Sequence, residues 1–246
     1  MTAFTKITTM ELRLLIREPV VLLFGLLLPV GLVAGFGSIP DSAEPAPSLG
    51  GMSLGMYIAS MAVALAAAIL AMTVVPTALA TYREKGILRR LSASPASPAA
   101  LLGAQLIVNA LLACFATVVL IVMGTLVFGI AGPENPLMFV VAFVLGSAAL
   151  FAVGLLIAAL APSARAANGI GMIVFFPSLF FAGVYIPWNA MPEFMRAIGD
   201  FTPLGATIQA VRAAWVGGDV RPLHLVIMAA YALVAGVAAA KFFRWS

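Results

Sequence analysis

Six stretches of the chain run without a single Asp, Glu, Lys or Arg: Pro19–Ile39, Leu54–Ala80, Ala99–Ile130, Leu137–Leu160, Ala167–Ile186 and Leu223–Ala240. A hydrocarbon core about 30 Å thick needs roughly 20 apolar residues in a helix to cross it, and each stretch meets that length. Breaker residues separate them: Pro40, Pro45 and Pro47, then Pro95 and Pro98, then Gly132, Pro133 and Pro136, then Pro162, and finally Pro187 and Pro192. Membrane β-strands would alternate polar and apolar residues over about 10 positions. These stretches do not alternate. The pattern therefore predicts an all-α integral membrane protein whose single transmembrane domain, residues 1–246, crosses the bilayer six times. Five further spans follow the first, so it is read as an uncleaved span rather than a leader.

Composition supports this reading and narrows the chemistry. Of the 246 residues, 63% are hydrophobic and 9% charged, too few charges to cover a water-soluble surface. There is one histidine, His224, and one cysteine, Cys114, so no intramolecular disulfide and no Cys/His zinc site can form. The net charge of +4 points to basic loops rather than nucleic acid. Ten basic residues fall on one side: Lys6, Arg13 and Arg17; Arg83, Lys85, Arg89 and Arg90; Arg165; Lys241 and Arg244. Three fall on the other: Arg196, Arg212 and Arg221. The positive-inside rule places both termini in the cytoplasm.

The spans contain no Asp, Glu, Lys or Arg for ion coupling. Their polarity is confined to residues such as Thr73, Thr77, Gln105, Asn109, Thr117 and Asn168. Gln105 and Asn109 are four apart, share one helix face, and are expected to bond to a neighbouring helix. No Gly-x-Ser-x-Gly and no phosphate-binding Gly-x-x-x-x-Gly-Lys-Ser/Thr is present, so uphill transport would draw on ATP bound by another polypeptide. Pro29, Pro76 and Pro177 lie inside spans 1, 2 and 5 and should kink or locally unwind them. They are either bends beside a pathway or tolerated membrane prolines.

Three segments outside the spans carry helical patterns. In residues 1–18, Lys6, Arg13 and Arg17 form a basic stripe opposite Phe4, Ile7, Met10, Leu14 and Leu15, which suits a helix at the inner headgroup boundary. Glu11 and Glu18 sit on the apolar side and are expected to meet basic groups of a partner or of the next loop. In residues 81–98, Ile87, Leu88 and Leu91 make a short apolar face between Gly86 and Pro95, flanked by Arg89 and Arg90. This pattern fits a cytoplasmic docking element, with Leu88 and Leu91 entering a groove on the partner. In residues 187–222, Met191, Phe194, Met195 and Ile198 predict one short helix, and Leu204, Ile208, Val211 and Trp215 a second, started by Thr202-Pro203 and ended by Gly217-Gly218. Apolar faces on the outer side predict a hairpin that re-enters the leaflet or packs on spans 5 and 6, with Asp200 and Arg212 solvated or paired at the polar boundary.

In this order, the motifs resemble the membrane subunit of ABC-2 type transporters, in look the daunorubicin-exporter-like permeases of bacteria. They are Arg17-Glu18-Pro19 with Pro29 and Phe36-Gly37; Arg83-Glu84-Lys85-Gly86-Ile87-Leu88-Arg89-Arg90-Leu91 with Pro95; and Pro187, Met191-Pro192, Pro203-Leu204 and Arg212. Ile87 departs from the family's usual Thr. The resemblance implies a homodimer or pseudodimer of permeases in the bacterial inner membrane, with two ATP-binding subunits that hold ATP and Mg; no cofactor belongs to this chain. It implies that residues 81–98 hold the coupling helix, residues 1–18 an interfacial helix in contact with lipid, and residues 187–222 a hairpin over the exit. It also implies that the proline-bearing spans 1, 2 and 5 line the pathway. An uncharged pathway suits an amphipathic drug, antibiotic or lipid, and the family also exports glycans. The alternative is a non-transport membrane protein, either an assembly or immunity factor or a lipid-modifying enzyme.

Overall fold

The computed structural model describes residues 3–92 and 98–243. Pro95 and Arg244, singled out above, lie outside the described residues. Among those described, the chain is helical, and the only strand-like pairing is a bridge between Pro45 and Ser53. Ten helices follow one another: α1 (Ala3–Ile16), α2 (Pro19–Gly37), α3 (Leu54–Glu84), α4 (Ile87–Ser92), α5 (Pro98–Phe128), α6 (Pro136–Leu160), α7 (Ala164–Phe181), α8 (Glu193–Asp200), α9 (Pro203–Trp215) and α10 (Pro222–Phe242). The six long enough and apolar enough to span a membrane are α2, α3, α5, α6, α7 and α10.

Helix α3 is the axis of the molecule. Of its most apolar window, 89% lies inside the protein, against 22% to 50% for the other five spans. Its inner surface is rich in alanine, from Ala59 to Ala71. Small side chains let neighbouring backbones come close, and without a hydrophobic drive between helices in lipid that closeness supplies the packing attraction. Gly154 on α6 lies against the Ala71 carbonyl, and Gly171 on α7 against the Met72 carbonyl; a Cβ at either glycine would collide with backbone. Gly146 on α6 makes room instead for the Thr207 side chain of α9, which a Cβ there would strike.

The internal prolines act in two ways. In α2 a widened π-helical turn, Leu23–Leu27, precedes Pro29, and in α3 a second, Leu70–Val74, precedes Pro76. A proline ring clashes with the carbonyl four residues back and leaves it without its donor. The extra residue in each wide turn absorbs that clash. The carbonyl four residues before Pro76 is that of Met72, the one Gly171 packs against, and the hydroxyl of Thr73 donates to the Ile69 carbonyl at 2.6 Å. Pro177 instead sits in an unbroken α-helix on an exposed surface. Pro29 and Pro76 are buried within the chain.

Two span ends differ most from the sequence expectation. Span 5 stops at Phe181 rather than Ile186, because Gly183 takes a left-handed φ of 83° that ends the helix. Span 2 continues past Ala80 to Glu84, so Arg83 and Glu84 belong to its last turn rather than to a loop. Gly86, at φ 65°, then turns the chain into α4.

Candidate functional site

At the charged end of α3, Arg83 and Glu84 bind the chain's own α6–α7 junction. The Arg83 guanidinium donates to the Ala158 carbonyl at 3.2 Å and to that of Ala161, both at the end of α6. The Glu84 carboxylate accepts from the Ala164 amide at 3.2 Å, at the start of α7. A cation on carbonyls that lack an intrahelical partner, and an anion on a first-turn amide, each complement the helix dipole. The motif thus clamps three spans where α4 begins. Leu88 is only 1% exposed and packs in the core. This corrects the expectation that it enters a partner's groove: six residues folded back on α3 and α5 can bury an anchor against their own chain. Gly86, Ile87 and Leu91 are half-buried, while Lys85, Arg89 and Arg90 stand exposed.

Helix α1 lies against α5 and turns the face Ile7–Glu11–Leu15 inward, leaving Lys6, Arg13 and Arg17 exposed. Glu11, 2% exposed, forms no ion pair with a basic residue among those described, contrary to the expectation of one from the next loop. Its carboxylate accepts from the Tyr82 hydroxyl at 3.0 and 2.9 Å and from the Gln105 amide. Asn109 donates to the Gln105 side-chain oxygen at 3.0 Å. Gln105 thus joins a neighbouring helix, as its position predicts. Burial pushes the Glu11 carboxyl above its ordinary range, against the opposing pull of those two hydrogen bonds. Glu18 is exposed.

At the opposite end of α3 the hairpin forms as the turn chemistry dictates. The Thr202 hydroxyl caps α9 by accepting from the Gly205 amide at 3.1 Å, Pro203 takes the first helical position, and Gly217 leaves the helix at φ 67°. Leu204, Ile208, Val211 and Trp215 are buried. Their neighbours are chiefly α6, α3 and α10, not span 5: the bundle encloses α9. The Trp215 indole donates to the Ala131 carbonyl at 2.8 Å, and the amides of Glu134 and Asn135 donate to the Trp215 and Ala214 carbonyls at the end of α9. Helix α8 begins at Glu193. Met191, ahead of it, is buried, while Phe194 and Ile198 face outward.

Asp200 is paired, as expected, with Arg221 at 3.1 Å and the His224 Nε2 at 2.8 Å. Arg212 departs from expectation. It is 7% exposed, its guanidinium carbon lies 4.0 Å above the Tyr57 ring, and no carboxylate among the described residues is within 4.0 Å. Tyr57, on α3, donates its hydroxyl to the Gly183 carbonyl at 3.0 Å and accepts from the Trp188 amide at 3.2 Å, tying α3 to the segment that follows span 5. A pocket of about 250 Å³ opens here, bordered by Trp188, Asp200, Gln209, Arg212 and His224. Nothing in the sequence pattern marks Gln209 and His224 as members of this pocket beyond the i, i+3 spacing of Gln209 and Arg212.

A model of the ABC-2 type transporter family matches residues 2–215. That range takes in the clamp at Arg83 and Glu84, α4 and the whole of α9. A search of curated proteins finds no match.

Proposed function

Because the chain belongs to the ABC-2 type transporter family and carries six apolar spanning helices, it is a multi-pass membrane component of a transporter. We propose that it is the permease subunit of an ATP-driven exporter. In this reading two copies of the chain sit side by side in the bacterial inner membrane with both termini cytoplasmic. Two separate ATP-binding subunits hold ATP and Mg beneath them. The substrate is amphipathic: a drug, antibiotic, lipid or glycan-bearing lipid. The faces of spans 1 and 5 that look away from the chain, with Pro177 among them, supply the pathway between copies. Span 2 is too enclosed to do so along its length.

The observation that supports this most directly is the clamp. A push on α4 reaches α3 through Gly86 and the α6–α7 junction through Arg83 and Glu84, so one small element can tilt three spans together. Lys85, Arg89 and Arg90 present positive charge where an acidic surface on the ATPase can meet it.

The test uses the exposed residues, since changing Leu88 would disturb folding. Arg89→Glu with Arg90→Glu should abolish co-purification of an ABC ATPase from native membranes while the permease keeps its detergent elution profile. Undiminished co-purification and substrate-stimulated ATPase activity in that variant would sink the docking assignment.

A further inference from the structure

The pocket beside α9 carries polar groups that the hairpin's own structure does not use. Arg212 Nη1 donates to the Gln209 Oε1 at 3.3 Å, while its Nε and Nη2 have no hydrogen-bond partner. Those two nitrogens form one edge of the guanidinium fork, the edge that fits two oxygens of a carboxylate or phosphate. Gln209 has turned its oxygen to Arg212, which leaves its Nε2 donors unpartnered. His224 is held through Nε2 by Asp200, and its Nδ1 is likewise unpartnered. Arg212 and His224 are both more than nine-tenths buried.

The charges around the pocket make this a site for an anion. Asp200 is engaged by Arg221 and His224, and Asp219 at the rim is exposed. Among the described residues the Arg212 charge is thus left without a counter-ion. A buried guanidinium is retained where a partner meets it, because an unpaired charge in a low dielectric is strongly unfavourable. The Tyr57 ring offers its face but no formal charge. On and just after α8, whose last residue Asp200 borders the pocket, Phe194, Ile198 and Phe201 turn apolar side chains outward. They would suit the chains of an amphipath whose head enters beside Asp200.

We propose that the pocket lined by Arg212, Gln209 and His224 binds the oxyanion group, phosphate or carboxylate, of an amphipathic molecule at the end of the bundle opposite α4. The binding itself does not depend on the docking reading above, so failure of the two is separable: one is read by ligand titration, the other by ATPase co-purification.

The experiment titrates the purified full chain, in an uncharged detergent at fixed ionic strength, with dihexanoylphosphatidylglycerol and separately with inorganic phosphate. Tryptophan fluorescence reports binding, since Trp188 borders the pocket. Two variants accompany it. Gln209→Glu places a carboxylate where Oε1 already meets Arg212, supplying the counter-ion from within the chain. Arg212→Lys keeps the charge and removes the fork. We expect saturable binding, weakened at least tenfold in both variants, with Gln209→Glu raising the melting temperature of the ligand-free protein. Tighter binding of the phosphatidylglycerol by tenfold or more assigns the site to a lipid-like headgroup; equal affinities assign it to a free oxyanion. Absence of saturable binding by either probe, or binding unchanged in both variants, overturns the proposal. So does a dimer in which a carboxylate of the second copy occupies Arg212.

Discussion

Glu11 and Arg212 are buried at opposite ends of the same helix, α3, whose 31 residues extend about 46 Å. They are held in opposite ways. Glu11 takes hydrogen bonds from two neighbouring helices, through Tyr82 and Gln105. Arg212 meets one amide oxygen and an aromatic face, and keeps two nitrogens free. The first arrangement meets the carboxylate from both sides and fastens α1 to α3 and α5, with only the Asn109 Oδ1 at its far edge lacking a partner. The second is an incomplete one at the edge of a pocket. A closed polar network holds elements together, whereas buried donors with no acceptor point to something outside the chain.

Four changes would break or sharpen that comparison. The largest effect should come from removing the shared support: Gly154→Val drives a side chain into the Ala71 carbonyl backbone and should leave no folded protein in a detergent extraction and elution assay. Recovery of native amounts would show that α6 can retreat from α3, and the rigid axis would fall. Next, Glu11→Met leaves the buried donors of Gln105 and Tyr82 unmet, at a cost of about 2 kcal/mol, read as a lower melting temperature. A shift below one degree would mean the network is dispensable.

Glu11→Gln should act more weakly, by roughly 1 kcal/mol or less, and its sign depends on pH. The Glu11 pKa is raised in the folded chain above its ordinary 4.5, so the folded state binds the proton more tightly. Its ionised form is disfavoured at neutral pH, and the disadvantage fades as pH falls through the raised folded value towards 4.5. Wild type should therefore gain stability relative to Glu11→Gln between pH 7.5 and pH 5. A constant difference would place the carboxyl in a more polar setting. The smallest change in the fold is expected from Arg212→Met. Replacing an uncompensated buried cation with an apolar side chain of similar length is close to neutral or stabilising, so the melting temperature should hold or rise. A large drop would make Arg212 a structural residue and remove the contrast with Glu11.

The linear pattern was enough for much of what depends on local chemistry, though not for the end of span 5 or the unbroken helix through Pro177. Six uncharged stretches require six spans. Thr202-Pro203 and Gly217 start and end α9, and Gly86 separates α3 from α4. Even the use of Gln105 as a link to a neighbouring helix follows from its place on an apolar span. What the pattern did not contain is which groups are brought opposite one another. Leu88 reads as a docking anchor because its spacing marks an apolar face, but spacing does not say whether that face meets a partner or the chain itself. Arg83 and Glu84 read as loop charges until α3 runs on and places them at the ends of α6 and α7. Glu11 finds Tyr82 and Gln105, which are 71 and 94 residues away, and Arg212 finds itself over Tyr57 with no carboxylate among the described residues within 4.0 Å. Period and turn residues act over a few positions and survive in any arrangement of helices. Hydrogen bonds and charge pairs act over about 3 to 4 Å, so their partners are decided only when Gly154 and Gly171 let α6 and α7 close on α3.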